Sequence, residues 1–293
     1  MNRMPAVSVV IATRNYGKYL AGAIRSVLQQ TWTDLELIVI DDGSTDDTPR
    51  VVREFNSEPR MRYIRTDGLG QSRAKNLGIQ LSSAPLIAFL DGDDEWLPTK
   101  LERQLPLFVD ADVGVVYAHR VTMDEDGQDI ERATSPLVRG RIYDDLLRAN
   151  PICFSSVIVR RYVFEAIGMF DPHLSLAIDY DLWLRVARHF EFDFVDLPLV
   201  RYRTGHLNLS SRITERIASV LTILNRSLVG RGNAKLADRA AQAEAWGSTC
   251  RTMGYVLRSN HPLQSTKWYL QAAWYDRRWF ATLKACLRMP IGR

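Results

Sequence analysis

Cysteine is scarce in this sequence. Its three copies lie far apart, at Cys153, Cys250 and Cys286. An odd number of widely separated cysteines argues against a disulfide framework and provides no paired spacing for a zinc site. This usage is typical of a reducing compartment, and we therefore expect a cytoplasmic protein.

Long apolar runs are also missing. No stretch approaches the roughly 20 apolar residues that a membrane-spanning helix needs. The apolar run from Ala6 to Ala12 is short and is interrupted by Ser8, so it lacks the shape of a secretory signal peptide. We expect a globular chain that neither crosses a membrane nor is exported.

Acidic residues are rare in the C-terminal part of the chain. Residues 1–206 hold 24 Lys and Arg against 30 Asp and Glu, whereas residues 207–293 hold 14 against 4. The net charges are therefore −6 and +10. An acidic first part does not favour nucleic-acid binding. The basic, Trp-containing tail predicts peripheral contact with an anionic membrane or a lipid-linked substrate, although a solvated helical surface would have the same composition.

Apolar runs alternate with helical patterns in the first part of the chain. Strands are predicted at 7–12, 35–40, 61–64 and 86–90, with helices between them. This order predicts an α/β domain over 1–206, with a mixed, mainly parallel sheet and flanking helices. A helix is predicted over 98–109 and short strands at 192–195 and 199–202. An apolar stripe from Ile213 to Leu228 begins a helical C-terminal region over 207–293.

Acidic residues follow the strand at 86–90 directly. Asp91, Asp93, Asp94 and Glu95 fall within five positions. Carboxylates this close repel one another unless a cation or hydrogen-bond donors hold them. A divalent metal that bridges to a phosphate would do so, because Mg and Mn prefer hard oxygen ligands. The alternative is a solvated turn whose acids favour the start of the next helix.

Polar residues also follow the first two strands, as Thr13-Arg14 and Asp41-Asp42. In open α/β sheets, ligands bind at the carboxyl ends of the strands. Polar residues therefore follow three strands at the same edge of the sheet, which predicts one site there.

Five ordered motifs resemble family 2 of the glycosyltransferases, which are inverting enzymes with the nucleotide-diphospho-sugar transferase A-type fold. The resemblance covers about residues 5–206. The motifs are Ser8-Val9-Val10-Ile11-Ala12-Thr13-Arg14-Asn15, Asp41-Asp42-Gly43-Ser44-Thr45-Asp46, Ala74-Lys75-Asn76, Phe89-Leu90-Asp91-Gly92-Asp93-Asp94 and Asp179-Tyr180-Asp181-Leu182-Trp183-Leu184-Arg185.

The resemblance implies a donor site for a nucleotide diphosphate sugar. Asp42 would bind the nucleotide base, in a pocket formed by Ala12, Thr13 and Arg14. Lys75 stands where the family often has Arg. Its ammonium would bind phosphate as a single point charge, without the paired donors of a guanidinium.

The resemblance also implies a metal site and a general base. Asp93 would ligate Mg or Mn. Asp91, the other member of the Asp-x-Asp pair, would reach the ribose or sugar and would also lie at the metal. His206 resembles a late histidine near the metal and the leaving diphosphate, although a loop histidine paired to a neighbour is an equal reading. Asp179 would take the proton from the acceptor hydroxyl, with Asp181 as the competing candidate.

The resemblance therefore predicts a metal-dependent glycosyltransferase that acts on a glycan or lipid-linked acceptor, in cell-surface polysaccharide biosynthesis at the inner face of the membrane. Two alternatives remain. A sugar-1-phosphate nucleotidyltransferase should carry a glycine-rich loop after the first strand, which Thr13-Arg14-Asn15-Tyr16-Gly17 is not. A non-catalytic nucleotide-binding or glycan-binding member would not need Asp91, Asp93 and Asp179 intact.

Overall fold

The computed structural model describes residues 4–130, 135–205, 212–229 and 237–279. In these residues the strands are β1 Val7–Thr13, β2 Leu35–Asp41, β3 Met61–Arg65, β4 Leu86–Phe89, β5 Glu95–Trp96, β6 Val113–Met123, β7 Asp129–Ile130, β8 Ile158–Arg160 and β9 Glu191–Arg203. The helices are α1 Gly17–Leu28, α2 Thr48–Arg53, α3 Gln71–Leu81, α4 Lys100–Gln104, α5 Tyr143–Arg148, α6 Arg161–Ile167, α7 Ile178–Val186, α8 Ile213–Val229, α9 Arg239–Leu257 and α10 Pro262–Asp276.

The described strands form one sheet in the order β3-β2-β1-β4-β8-β6-β9-β5, with β7 paired to β6. The first four run parallel to one another. β8 is antiparallel to both of its neighbours, and β6 and β9 are parallel. The architecture confirms the predicted α/β fold with a mixed sheet, flanking helices and C-terminal helices.

Both faces of the parallel half of the sheet are buried. Leu37 of β2 lies in one core cluster with Ile24 of α1, whereas its neighbour Ile38 lies in another with Ala74 of α3. Successive strand residues point to opposite faces, so a strand covered on both sides is apolar at every position. This is why the predicted strands read as continuous apolar runs.

Helix α3 approaches the sheet unusually closely. A Cβ atom added at Gly78 would lie 2.3 Å from Cγ1 of Val10 in β1. Only glycine allows this contact, because any side chain would push α3 away from the strand. The close packing fixes α3, and with it Lys75, relative to the end of β1.

Two predicted elements differ in the structure. The helix predicted over 98–109 is the short α4 followed by a 3-10 turn at Leu105–Val109. The two strands predicted at 192–195 and 199–202 form one strand, β9, whose pairing with β6 shifts register between Val195 and Pro198. The residues between the two predicted strands form an irregularity that includes Pro198, and the strand continues through it instead of ending.

The chain divides into two compact units. The first comprises Met1–Ile142, Pro151–Leu182 and His189–His206, and the second comprises Tyr143–Asn150, Trp183–Arg188 and Leu207–Arg293. In the second unit, α9 packs against α5, α8 and α10. The sequence predicted a boundary between residues 206 and 207. The second unit contains the tail beyond that boundary and, in addition, two earlier segments of the chain.

None of the helices in the described residues has both the length and the apolar character required to cross a membrane.

Candidate active site

Three chain segments meet at the carboxyl ends of the parallel strands. The last residue of β1, Thr13, pairs with Asp41 at the end of β2. The next residue, Asp42, donates its N–H to the Thr13 carbonyl at 2.8 Å. After β4, Leu90 donates its N–H to the Val10 carbonyl at 3.1 Å. The polar residues predicted at this edge are therefore brought together by the main chain.

The Asp42 carboxylate is held by a loop that follows β3. Its Oδ1 accepts hydrogen bonds from Thr66 Oγ1 at 2.8 Å and from the Leu69 N–H at 2.5 Å, and its Oδ2 accepts from the Gly70 N–H at 2.8 Å. The residue is only 4% exposed. Asp42 thus fixes the loop that leads into α3, and Oδ2 keeps capacity for a further donor.

The loop and the end of β1 form one continuous surface. Ala12 is half-buried, Thr13 is buried, and Arg14 is exposed. A Cβ atom added at Gly68 would lie 3.8 Å from Nη1 of Arg14, so the guanidinium lies against the loop. Of the three residues predicted to line the base pocket, Thr13 and Arg14 therefore border the segment that Asp42 organises, whereas Ala12 packs against the core cluster of Ile38, Ile40 and Ala74.

The turn after β4 carries the acids of the Asp-x-Asp motif. Lys75 Nζ lies 3.1 Å from Asp91 Oδ1 and 4.8 Å from the centroid of the Phe154 ring. Lys75 is nearly buried, whereas 35% of the Asp91 side chain is exposed. A Cβ atom at Gly92 would lie 2.8 Å from Thr13 Oγ1, so the turn packs directly on the end of β1. Asp91 is therefore a paired acid that remains accessible.

Asp94, one position beyond the motif, has a different environment. It is 1% exposed, and its carboxylate accepts from Ser155 Oγ at 2.5 Å and from the Arg203 N–H at 2.8 Å. Ser155 Oγ also accepts from the Asp91 N–H at 3.2 Å. Arg203 Nε donates to the Asp93 carbonyl at 2.9 Å. Asp94, Ser155 and Arg203 therefore hold the turn in place, whereas Asp91 and Asp93 carry the motif.

The acids of the turn after β4 raise one another's pKa. Burial raises the pKa of Asp91; Lys75 opposes this shift, and Asp93 and Asp179 add to it. Burial, followed by Asp93 and Asp91, raises the pKa of Asp94 well above its ordinary range. Burial also raises the pKa of the Tyr16 phenol, and the charges of Asp93, Asp91 and Asp94 add to that shift.

A divalent cation would stabilise the ionised forms of these closely spaced carboxylates. No group of three or more metal-ligating side chains occurs within the described residues. Mg²⁺ commonly binds to one or two protein carboxylates and takes its remaining ligands from phosphate oxygens and water. Asp91 and Asp93 supply that number, so the donor set fits a metal that is completed by a diphosphate. His206, predicted as a further ligand, lies outside the described residues.

Asp179 lies near the acid turn, although it is distant from it in sequence. It lies in the first turn of α7 and is close enough to Asp91 to raise the pKa of that carboxyl. It follows Ala177, whose φ of 55° lies in the left-handed region. Asp179 is half-buried, whereas the competing candidate Asp181 is 8% exposed. Asp179 is therefore the more accessible of the two residues, and its charge is the one that contributes to the raised pKa of Asp91.

Helix α3 holds the segment that leads to Asp179. The Asn76 amide donates to the Phe170 carbonyl at 2.8 Å and accepts from the Phe170 N–H at 3.0 Å. Ser72 Oγ donates to the Leu174 carbonyl at 3.3 Å. These bonds connect the helix that carries Lys75 to the approach to α7, so Lys75 and the predicted base are positioned by one framework.

Several residues at the site were not predicted from the sequence. Ser155 and Phe154 lie in a stretch without a pattern that would single them out, and Tyr16 follows the polar residues after β1 but was given no role. Arg203 lies in the same stretch as His206, but its contacts include residues 79 and 110 positions earlier. A buried serine next to a clustered acid is recognisable only when the strands have been placed beside each other.

Comparison with known proteins agrees with the predicted family and fold. The family described as glycosyl transferase family 2 matches residues 8–168. An uncharacterized glycosyltransferase of Nostoc sp. is 34% identical over 174 residues, which are 57% of this chain and 54% of the relative. The chain therefore spans about half the length of that relative.

Two further proteins are informative. The Escherichia coli UDP-Glc:alpha-D-GlcNAc-diphosphoundecaprenol beta-1,3-glucosyltransferase WfgD is 27% identical, over 70% of this chain and 79% of its own. The structure of the mannosyltransferase PcManGT from Pyrobaculum calidifontis, in complex with GDP-Man and Mn²⁺, matches with a TM-score of 0.66 at 16% identity, over 97% of this chain and 81% of that one. At this identity the structural match supports the fold alone.

Proposed function

Because the chain belongs to glycosyl transferase family 2, we propose that it is an inverting, metal-dependent glycosyltransferase. It moves a sugar from a nucleotide diphosphate donor to a hydroxyl of a glycan or lipid-linked acceptor. The observation that carries this proposal is the ion pair of Lys75 with Asp91 at the end of β4. Asp179 supports it, because its charge contributes to the raised pKa of Asp91. One base, one phosphate-side cation and a paired-acid turn are the parts that such a transfer requires.

The donor site lies along the ends of β1 and β2. Ala12, Thr13, Arg14 and the loop held by Asp42 form the nucleotide pocket, and a free acceptor site on Asp42 Oδ2 contacts the base. Asp91 and Asp93 would hold Mg or Mn, which would neutralise charge on the departing diphosphate. Lys75 lies beside Asp91 and contributes a second positive charge to the same oxygens.

Asp179 performs the proton chemistry. It accepts the proton of the acceptor hydroxyl while the hydroxyl oxygen forms its bond to the anomeric carbon. The bond from that carbon to the diphosphate oxygen breaks at the same time, and the nucleoside diphosphate leaves with both electrons. One displacement from the face opposite the leaving group inverts the anomeric centre, and no covalent enzyme nucleophile is needed.

The acceptor class is proposed from a relative. The printed name of WfgD describes glucosyl transfer to a sugar on diphosphoundecaprenol. By analogy we place this chain in cell-surface polysaccharide biosynthesis, in the cytoplasm at the inner face of the membrane. Contact of residues 207–293 with an anionic membrane belongs to the same proposal.

The metal role is tested by calorimetric titration of UDP-linked and GDP-linked sugars into the full-length chain, with Mn²⁺ or with a chelator. Asp93→Asn should remove the metal-dependent part of donor binding. Asp94→Asn, the same change one position along, should keep it, because Asp94 is buried among structural partners. Unchanged metal dependence in Asp93→Asn would exclude the metal role of that carboxylate.

The base is tested separately by release of nucleoside diphosphate from the donor that binds. Asp179→Asn should leave donor affinity unchanged and reduce turnover by about 10²–10⁴-fold, which is the usual contribution of a positioned general base. Turnover retained in Asp179→Asn but lost in Asp181→Asn would instead assign the base to Asp181.

A further inference from the structure

Helix α10 exposes a row of large apolar side chains. Leu263, Leu270 and Trp274 are 81%, 49% and 70% exposed, and Trp279, just after the helix, is 54% exposed. Leu263, Lys267, Leu270 and Trp274 follow one another at intervals of four, three and four residues, so they share one side of the helix. We call these four residues the α10 outer face.

The outer face is not needed to bury α10 in the second unit. The opposite side of the helix already packs inward through Ser265, Tyr269, Ala272 and Ala273. Tyr269 packs against Gly254 of α9, where an added Cβ atom would come within 3.1 Å of its ring. The helix therefore has a complete core-facing side, and exposing leucine and tryptophan on the other side contributes nothing to the core.

The charge around the outer face is positive. Lys267 lies within it and is exposed, and Arg277 and Arg278 are exposed at the end of the helix. The single carboxylate of α10, Asp276, points away: its side chain is 4% exposed and forms a salt bridge with Arg251 of α9. An apolar row bordered by cations and without an outward acid is complementary to an anionic surface.

We propose that the α10 outer face docks onto an anionic lipid bilayer, with the helix lying in the plane of the headgroups. Leucine side chains enter the acyl boundary, and tryptophan rings favour the interface between water and hydrocarbon. The Lys267 stem lies along the apolar surface while its ammonium remains at the headgroups. Arg277 and Arg278 add attraction to anionic lipid, although Arg278 also forms a salt bridge with Glu244 at 3.3 Å.

Flotation of the full-length chain with vesicles tests this surface without any glycosyl transfer, so its outcome is independent of the proposed activity. The vesicles contain phosphatidylcholine alone or mixed with phosphatidylglycerol. The chain should bind the mixed vesicles and be released by salt. Leu263→Ser with Trp274→Ser should weaken binding by at least about tenfold, and Lys267→Glu with Arg277→Glu should do the same.

Matched controls come from the first unit. Leu197 and Trp32 are 47% and 37% exposed there, and Arg53 is an exposed cation of α2. Leu197→Ser with Trp32→Ser, and Arg53→Glu, should bind vesicles as the unchanged chain does. Equal loss in control and test variants, or equal binding to neutral and mixed vesicles, would overturn the proposal.

A second measurement covers variants that fold poorly. Lipids brominated on their acyl chains should quench the tryptophan fluorescence of the unchanged chain, and the conservative Trp274→Phe should remove most of that quenching while the chain still binds. Unaltered quenching in Trp274→Phe contradicts the proposed surface. So does a change from oligomer to monomer in Leu263→Ser with Trp274→Ser without any loss of vesicle binding, which would identify a second copy of the chain as the occupant.

Discussion

At the scale of single residues, the acids of one short turn differ in their surroundings. Asp91 keeps 35% of its side chain exposed and pairs with Lys75, whereas Asp94 is buried and bonded to Ser155 and Arg203. Asp94 is 1% exposed and its carboxylate already accepts two hydrogen bonds, so it has no open side for a ligand, whereas Asp91 has one. Asp94 therefore serves the fold, at an electrostatic cost that depends on pH.

Asp94→Asn should change the pH dependence of stability. The pKa of Asp94 in the folded chain is raised well above its ordinary value of 3.8 by burial and by Asp93 and Asp91. Between those two values the folded state holds one more proton than the unfolded state, so the free energy of unfolding falls as pH rises, by at most about 1.4 kcal/mol per pH unit. The amide side chain of the variant does not bind or release a proton in this pH range. The variant should therefore gain stability relative to the unchanged chain as pH rises.

Urea unfolding of both proteins at a series of pH values, in the presence of a chelator, measures this difference. The gain should begin near the ordinary carboxyl pKa and level off above the raised one. A stability difference that stays constant with pH would show that Asp94 is ionised equally in the folded and unfolded states.

At the scale of elements, the end of β9 connects the acid turn to the hairpin between β6 and β7. The Arg203 guanidinium is almost fully buried and donates to the carbonyls of Asp93, Asp124 and Glu125 and to the Glu95 carboxylate. It also stacks on the Tyr19 ring at 4.7 Å. A planar donor fork can reach this many acceptors at once, whereas an ammonium cannot.

Arg203→Lys should therefore cost about 2 kcal/mol of stability, since buried acceptors lose charge-assisted bonds. It should also weaken Mn²⁺-dependent donor binding about tenfold, because the Asp93 main chain is no longer held. Arg201→Lys, two positions earlier, is the matched control. Its side chain is 26% exposed and pairs with Asp129 and Glu95, so a loss of about 0.5 kcal/mol is expected.

Urea unfolding and metal titrations of donor binding distinguish the two variants. If Arg203→Lys loses stability but keeps its metal response, Arg203 supports the fold without positioning the acid turn.

At the scale of the whole molecule, charge and function are divided between two regions of sequence. The described residues proposed for donor, metal and base all lie in the first unit, Met1–Ile142, Pro151–Leu182 and His189–His206. The net charge of +10 lies in residues 207–293, which include the exposed face of α10. This division keeps positive charge at the proposed membrane surface and acids at the proposed catalytic site.

A nucleoside diphosphate with Mn²⁺ should raise the unfolding temperature of the chain. At a hundredfold excess over the dissociation constant, binding stabilises the folded state by about 2.7 kcal/mol, or roughly 5–10 °C for a unit of this size. Scanning calorimetry measures the shift, and a chelator should remove most of it. A shift of the same size with the chelator present would argue against a metal at the diphosphate.

The sequence by itself determined the parallel half of the sheet and the edge where the site lies. Apolar runs buried on both faces are a local property, and the polar residues after β1, β2 and β4 converge because parallel strands end at one edge. The ordered motifs were sufficient to predict the family, which the match over residues 8–168 confirms. The roles assigned to Asp42, Lys75, Asp91, Asp93 and Asp179 stay predictions.

Only the tertiary structure decided which side chains meet across long stretches of chain. Asn76 fixes Phe170 and so positions the approach to Asp179. Ser155, in a 3-10 turn before β8, and Arg203, at the end of β9, reach the acid turn from segments that are distant in sequence. These contacts depend on strand order and register, which no local periodicity encodes. The structure likewise decided that the Asp42 carboxylate holds a loop and that α10 keeps leucine and tryptophan in water, because burial is a property of the assembled chain.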